Sequence, residues 1–135
     1  MSQNYSYTFK LINSVSIINL PYAIQNARKL KIKFLRYITA SALNDTLIIK
    51  INQFNENVYY DGTRIIKCAK VLPLPSTINT SFFYDNAFPE PDIIVSERAQ
   101  GFSINSLTIE LLINNAYSAD ISPTNPVYLE LAIHD

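Results

Sequence analysis

The chain has 135 residues and no net formal charge, with eleven basic and eleven acidic side chains. Its length suits one domain and leaves no room for a second of ordinary size. A 48% hydrophobic content supports a real core, whereas the 16% charged share lies well under the roughly 25% of an average soluble domain. A lone cysteine, Cys68, excludes an internal disulfide and fits a reducing compartment. No apolar run approaches the roughly 18 residues of a membrane span.

Period-two alternation recurs along the chain. Apolar residues fall at Tyr5, Tyr7, Phe9 and Leu11, then at Val15 and Ile17, with Ser6, Thr8, Lys10, Ser14 and Ser16 opposite. This predicts one long strand, or two with a break near Asn13 and Ser14. Residues 1–7 double as a candidate N-terminal arm. The stretch 19–29, with Pro21 near its start, fits either a short helix that opens on proline or a long loop. In the next strand Leu30, Ile32, Phe34, Ile38 and Ala40 are expected on one side, and Lys31, Lys33, Tyr37 and Thr39 on the other.

Residues 41–45 read as a turn, after which Leu47, Ile49 and Ile51 alternate with Thr46, Lys50 and Asn52. Asp61-Gly62 between strand formers predicts a hairpin with a type I′ turn, whose two central residues both need positive φ. Residues 64–72 form the returning strand, ended by Pro73 and Pro75, which cannot donate to a ladder. Short strands are predicted over 81–84 and 92–96, and an edge strand over 101–104. The two clearest strands come last: Leu107, Ile109, Leu111 and Ile113 alternate with polar neighbours, as do Val127, Leu129, Leu131 and Ile133. A polar loop, 115–126, joins them. With only two glycines, the turns must lean on Asn and Asp, which tolerate left-handed backbone. Eight or nine strands with no sustained helical period predict an all-β fold. The expected architecture is an antiparallel β-sandwich, an eight-stranded jelly roll spanning 1–135 as a single domain.

The charges are segregated. Residues 1–70 carry ten basic and three acidic side chains, a balance of +7, and residues 71–135 carry one and eight, a balance of −7. A sandwich that interleaves the halves would set opposite charges on neighbouring strands. Alternatively, basic and acidic edges of separate copies would meet in a head-to-tail ring.

Lys29, Lys31 and Lys33 are expected on one strand face, with Arg36 nearby and Tyr37 as a stacking ring. Lys29, Lys31, Lys33 and Arg36 are therefore the candidate assembly or phosphate contacts. The plainer reading is a solvated or subunit-facing strand whose lysines block edge-to-edge aggregation. Catalysis finds no support. His134, the single histidine, cannot build a multi-His metal site. Cys68 reads as a small buried hydrophobe. No nucleophile elbow, phosphate loop or Cys-x-x-Cys pair occurs. Glu90, Asp92 and Glu97 offer oxygens to a divalent cation, in a spacing that matches no known loop. The expectation is a protein that is not an enzyme and has no cofactor or metal. Tyr59, Tyr60, Phe82, Phe83, Tyr84, Phe88 and Phe102 cluster around predicted turns. They fill a core or interface, or else stack on sugars in a glycan- or receptor-binding module. The absence of Trp counts against the second.

Ser106-Leu-Thr-Ile-Glu-Leu-Leu-Ile-Asn114, a polar loop, and Pro126-Val-Tyr-Leu-Glu-Leu-Ala-Ile-His134 close the chain. This pair resembles the last two strands of viral single-jelly-roll capsid proteins, of the vertex (penton) or minor capsid type of virophages and related DNA viruses. The resemblance implies a structural virion protein. Copies would form a homo-oligomer, with a pentamer favoured, and meet other capsid proteins through loops and sheet edges inside the host cell. The opening residues lack the charged and apolar regions of a signal peptide, in keeping with that expectation. Nucleic-acid association and a glycan-binding module are the competing expectations.

Overall fold

The computed structural model describes residues 4–39, 46–75, 77–85, 93–95, 102–114, 116–117 and 121–134. Twelve strands and no helix occur among them. Sheet A holds β1 (Asn4–Leu11), β12 (Val127–His134) and β3 (Lys29–Ile38), with β8 (Ser81–Asp85) and β9 (Ile93–Val95) end to end along the far side of β3. Sheet B is built on β10 (Phe102–Ile113). Along one side of it run β2 (Val15–Ala27) and β11 (Ala116–Tyr117), and along the other β4 (Thr46–Ile51) and then β7 (Lys70–Pro73). A separate hairpin pairs β5 (Asn57–Tyr60) with β6 (Ile65–Cys68). Every pairing is antiparallel.

The alternating apolar residues bring the sheets face to face. Leu129, Leu131 and Ile133 of β12 and Leu30, Ile32 and Leu35 of β3 share one buried core with Leu107, Ile109 and Leu111 of β10 and Leu47, Ile49 and Ile51 of β4. Each such side chain is worth about 1.5–3 kcal/mol when fully removed from water. The result is an antiparallel β-sandwich, as the alternation predicts.

Several expectations are corrected. The stretch 19–29 is neither helix nor loop: β2 runs through it to Ala27. β2 lies at the edge of sheet B, where the missing N–H of Pro21 is tolerated. Pro21 also falls where six residues of β2, Asn19 to Ile24, face only the three from Ser106 to Ile104 of β10, a wide irregularity in the ladder. The chain crosses from sheet A to sheet B between β1 and β2, and that crossing reverses the inward face. Tyr7, Phe9 and Leu11 face the core, but in β2 it is Ile18 and Leu20 that pack there, leaving Val15 and Ile17 exposed. Residues 4–7, read as a possible arm, lie in the β1–β12 ladder, Tyr7 opposite Leu131.

The edge strand predicted at 101–104 is instead the start of β10, a central strand. The returning strand divides at Ala69, whose N–H bonds Ile49 O at 2.8 Å, so β6 stays with the hairpin and β7 joins sheet B. At the hairpin tip only Gly62 has positive φ, 99°, so the I′ pattern is not met. Gly62-Thr63 are the central pair, with glycine first as in a II′ turn. Asp61 Oδ1 accepts from the Thr63 and Arg64 N–H groups and closes the turn. Elsewhere asparagine takes the left-handed role, at Asn79 (φ 57°) and Asn114 (φ 53°).

Candidate functional site

The predicted cationic residues lie on β3, between β12 and the β8/β9 edge. Their placement is set by one extra residue. Glu130 of β12 stands opposite Phe34, but Leu131 stands opposite Ile32, so Lys33 has no partner of its own in the register. This bulge shifts the side-chain phase, because the period of a strand is two. Leu30 and Ile32 point inward before it, and Leu35, Tyr37 and Thr39 after it. The expected sidedness of Phe34, Ile38, Tyr37 and Thr39 is therefore reversed.

The reversal changes the membership of the site. Tyr37 is fully buried in the core and cannot serve as a stacking ring beside the lysines. Arg36 instead joins Lys29, Lys31 and Lys33 on the outer face of sheet A. The rings on that face are ones the alternation did not select. Phe34 shares it through the bulge, and Phe83 of β8 stands opposite Arg36, 57% exposed. The Arg36 guanidinium carbon lies 6.0 Å from the Phe83 ring centre, within cation–π range. The Phe34 and Phe83 rings are 6.2 Å apart and tilted by 50°. From the other side, β12 sets Tyr128 opposite Arg36, and β1 sets Lys10 opposite Tyr128. Across the four strands the row reads Lys10, Tyr128, Arg36, Phe83.

The segregated charges do meet across strands. Lys33 Nζ is 3.1 Å from Glu130 Oε1, and on sheet B Lys50 Nζ is 3.5 Å from Glu110 Oε2. In both pairs the lysine comes from the basic half of the chain and the glutamate from the acidic half. At this degree of exposure each pair adds at most about 1 kcal/mol, and its main effect is on which strands pair.

Sheet B presents a different outer face. Ile48, Leu112 and Cys68 form a second buried cluster, packed by Tyr59, Ile66 and Val71, so the β5–β6 hairpin roofs this part of the sheet. Burial pushes the Cys68 thiol above its ordinary pKa; a backbone hydrogen bond at Tyr59 and the Lys50 charge act against that more weakly. A buried neutral thiol is no nucleophile. Beside the roof opens a cleft of about 300 Å³ lined by Lys50, Asn52, Asn55, Thr108 and Glu110. Its charged groups face each other, and Asn55 Oδ1 already accepts from the Ile51 N–H at 2.9 Å. Beyond the cleft, on the edge strand, Val15 and Ile17 stand in the open, Ile17 71% exposed.

The remaining candidates separate. Phe82 and Tyr84 pack against the core, and Tyr84 lies under the Lys70 ammonium at 5.2 Å. Tyr59 packs beneath the hairpin, while Tyr60 points outward. Phe102 begins β10, and His134 takes a place on β12 opposite Lys29. Glu90, Asp92, Glu97 and Phe88 lie outside the described residues. Among the described residues no three His, Cys, Asp or Glu side chains gather in a metal-binding group, and no helix is long and apolar enough to cross a membrane. Compared with known protein families and with curated proteins, the sequence matches none of them.

Proposed function

We propose that this chain is a self-assembling structural subunit of a virus shell, a jelly-roll protein of the vertex (penton) or minor capsid type. The strand order supports the reading. The chain changes sheet between β1 and β2, β2 and β3, β3 and β4, β7 and β8, β9 and β10, and β11 and β12, so that β1-β12-β3-β8/β9 faces β2-β10-β4-β7. With β8 and β9 counted as one position and the two-residue β11 set aside, each five-stranded sheet offers four positions, the number a jelly roll uses. The two strands that carry the capsid resemblance, β10 and β12, are both central.

The observation that carries assembly is the surface of β2. Among the described residues the thirteen-residue β2 pairs with no strand but β10, and it exposes Val15, Ile17 and Tyr22, the last 77% open. Edges are blunted by charge, proline or bulges; β2 has Pro21 and the irregularity opposite Ser106 to Ile104, but Val15 to Ala27 contains no charged side chain. A second copy of the chain would cover this strip. Among the described residues the exposed tyrosines Tyr22 and Tyr60, which a glycan-binding module would use, stand on different elements.

Size-exclusion chromatography with light scattering tests the reading. At physiological salt the chain runs as a closed oligomer, with a pentamer expected, and Ile17→Asp shifts it to a monomer with an unchanged circular dichroism spectrum. A wild-type chain that stays monomeric at tens of micromolar overturns the proposal.

A further inference from the structure

We propose that the outer face of sheet A binds single-stranded nucleic acid, its phosphates on the lysines and its bases on the exposed rings. This goes beyond the assembly reading and does not depend on it.

Charge complementarity comes first. Among the described residues this face presents Lys10, Lys29, Lys31, Lys33 and Arg36, against two acids, Glu130 and Asp85. Glu130 is paired with Lys33. Among the described residues the cations of this face outnumber its acids five to two, and a polyanion that meets them recovers free energy by counterion release.

The rings decide which polyanion. Phe83 stands on a sheet face with no layer described over it, so packing does not account for an aromatic ring there. Arg36 lies over one face of the Phe83 ring and Phe34 tilts against it, and Phe83 still remains 57% exposed. The row Lys10, Tyr128, Arg36, Phe83 alternates cation and ring over neighbouring strands spaced about 4.8 Å apart. From Lys29 to Arg36 the strand adds a dimension of roughly 20 Å at ~3.3 Å per residue, enough for several nucleotides. Interleaved rings and cations on a flat sheet suit unstacked bases, which offer both a π-face and a phosphate. The rings offer nothing to a duplex, whose bases are already stacked, so a duplex would be held by charge alone.

The test is fluorescence anisotropy of a labelled 20-nucleotide oligothymidylate titrated with the full chain at 50 and 200 mM NaCl. Binding is expected, with log K falling against log salt at a slope of about −2 to −3.5, roughly −0.7 for each of three to five phosphates. Phe83→Leu keeps the apolar bulk and removes the ring. It should weaken binding about tenfold without changing the salt slope. Lys29→Gln with Lys31→Gln should flatten the slope by about 1.4. Circular dichroism and light scattering on the same samples confirm that each variant is folded and report its assembly state. A monomer that binds leaves this proposal standing while the assembly reading falls. Absence of binding at 50 mM NaCl overturns it. So does an undiminished affinity in Phe83→Leu, which would mean a surface that reads charge alone. Binding to phosphatidylserine vesicles without binding to the oligonucleotide also overturns it, and assigns the face to a membrane surface.

Discussion

The outer faces of the two sheets have met water in opposite ways. On sheet A the outward positions of the central strands carry Lys31, Lys33, Arg36, Tyr128 and Glu130, all part-exposed, and no element is described over them. On sheet B the equivalent positions include Ile48 and Leu112, which would be costly to expose, and the chain returns on itself to cover them with a hairpin. A sandwich needs only one core between its sheets. A second, smaller core therefore marks where the outward residues are apolar, and an uncovered face marks where they are charged. The strip at Val15 and Ile17 fits neither case, since it is apolar and no described element covers it.

Truncation beneath the roof should separate the two faces most sharply. Ile48 is fully buried on the outward side of β4, so Ile48→Ala is expected to cost about 2–5 kcal/mol. Arg36 holds an outward position on the central strand of the other sheet, and Arg36→Gln should stay within about 0.5 kcal/mol. Urea unfolding with an unchanged m-value measures both. Equal effects would mean that the hairpin does not act as a second core.

That second core was only partly legible. The hairpin itself is visible in Tyr60-Asp61-Gly62, because glycine supplies the positive φ that the turn demands. Where the hairpin docks is not visible, because Ile48 sits in Leu47-Ile48-Ile49, a run with no alternation that could name an outward residue. The inward faces of β10 from Leu107 to Ile113 and of β12 from Val127 to Ile133 were legible, since every second residue there is aliphatic; the extra residue at Glu130/Leu131 lies in β3. β3 was misread beyond Ile32. A bulge adds a residue without leaving a mark in a sequence where Phe34, Leu35, Tyr37 and Ile38 suit either face. The four cations share the outer face of sheet A, whereas the ring expected beside them does not: the lysines precede or form the bulge, and Tyr37 follows it and faces the core. Phe83 belongs to a partner strand 47 positions along the chain from Arg36, and only the pairing reveals the contact.

Sheet A, over which no described element lies, is secured at its end. Thr39 is buried just past β3, where its Oγ1 donates to Thr77 O and accepts from the Thr80 N–H at 3.2 Å. Its backbone pairs with Thr80 O at 3.0 Å and with the Asn79 N–H at 2.7 Å. Thr39→Val preserves the shape and strands these polar partners, so a loss of about 1–3 kcal/mol is expected. Hydrogen exchange should localise the loss to β3 and β8 and leave the hairpin protected. A loss spread evenly over both sheets would contradict the separation drawn between them.

The smallest effect is the most specific to the roof of sheet B. Cys68 lies between hairpin and sheet, and burial raises its thiol pKa above the ordinary value. The folded state thus holds the thiol proton more tightly than the unfolded chain does. The sign follows from linkage: this contribution is fully present below the unfolded thiol pKa, about 8.5, and is lost as pH rises through the folded value. Cys68→Ala deletes a buried sulfur at every pH but has no proton to lose. The stability gap between wild type and Cys68→Ala should therefore narrow from pH 7.5 to pH 10, because only the wild type declines for this reason. Tyrosines and lysines titrate in both proteins and cancel in the difference. A gap that stays constant over this range would show that the thiol keeps its ordinary pKa, and that the hairpin admits water to the space between it and sheet B.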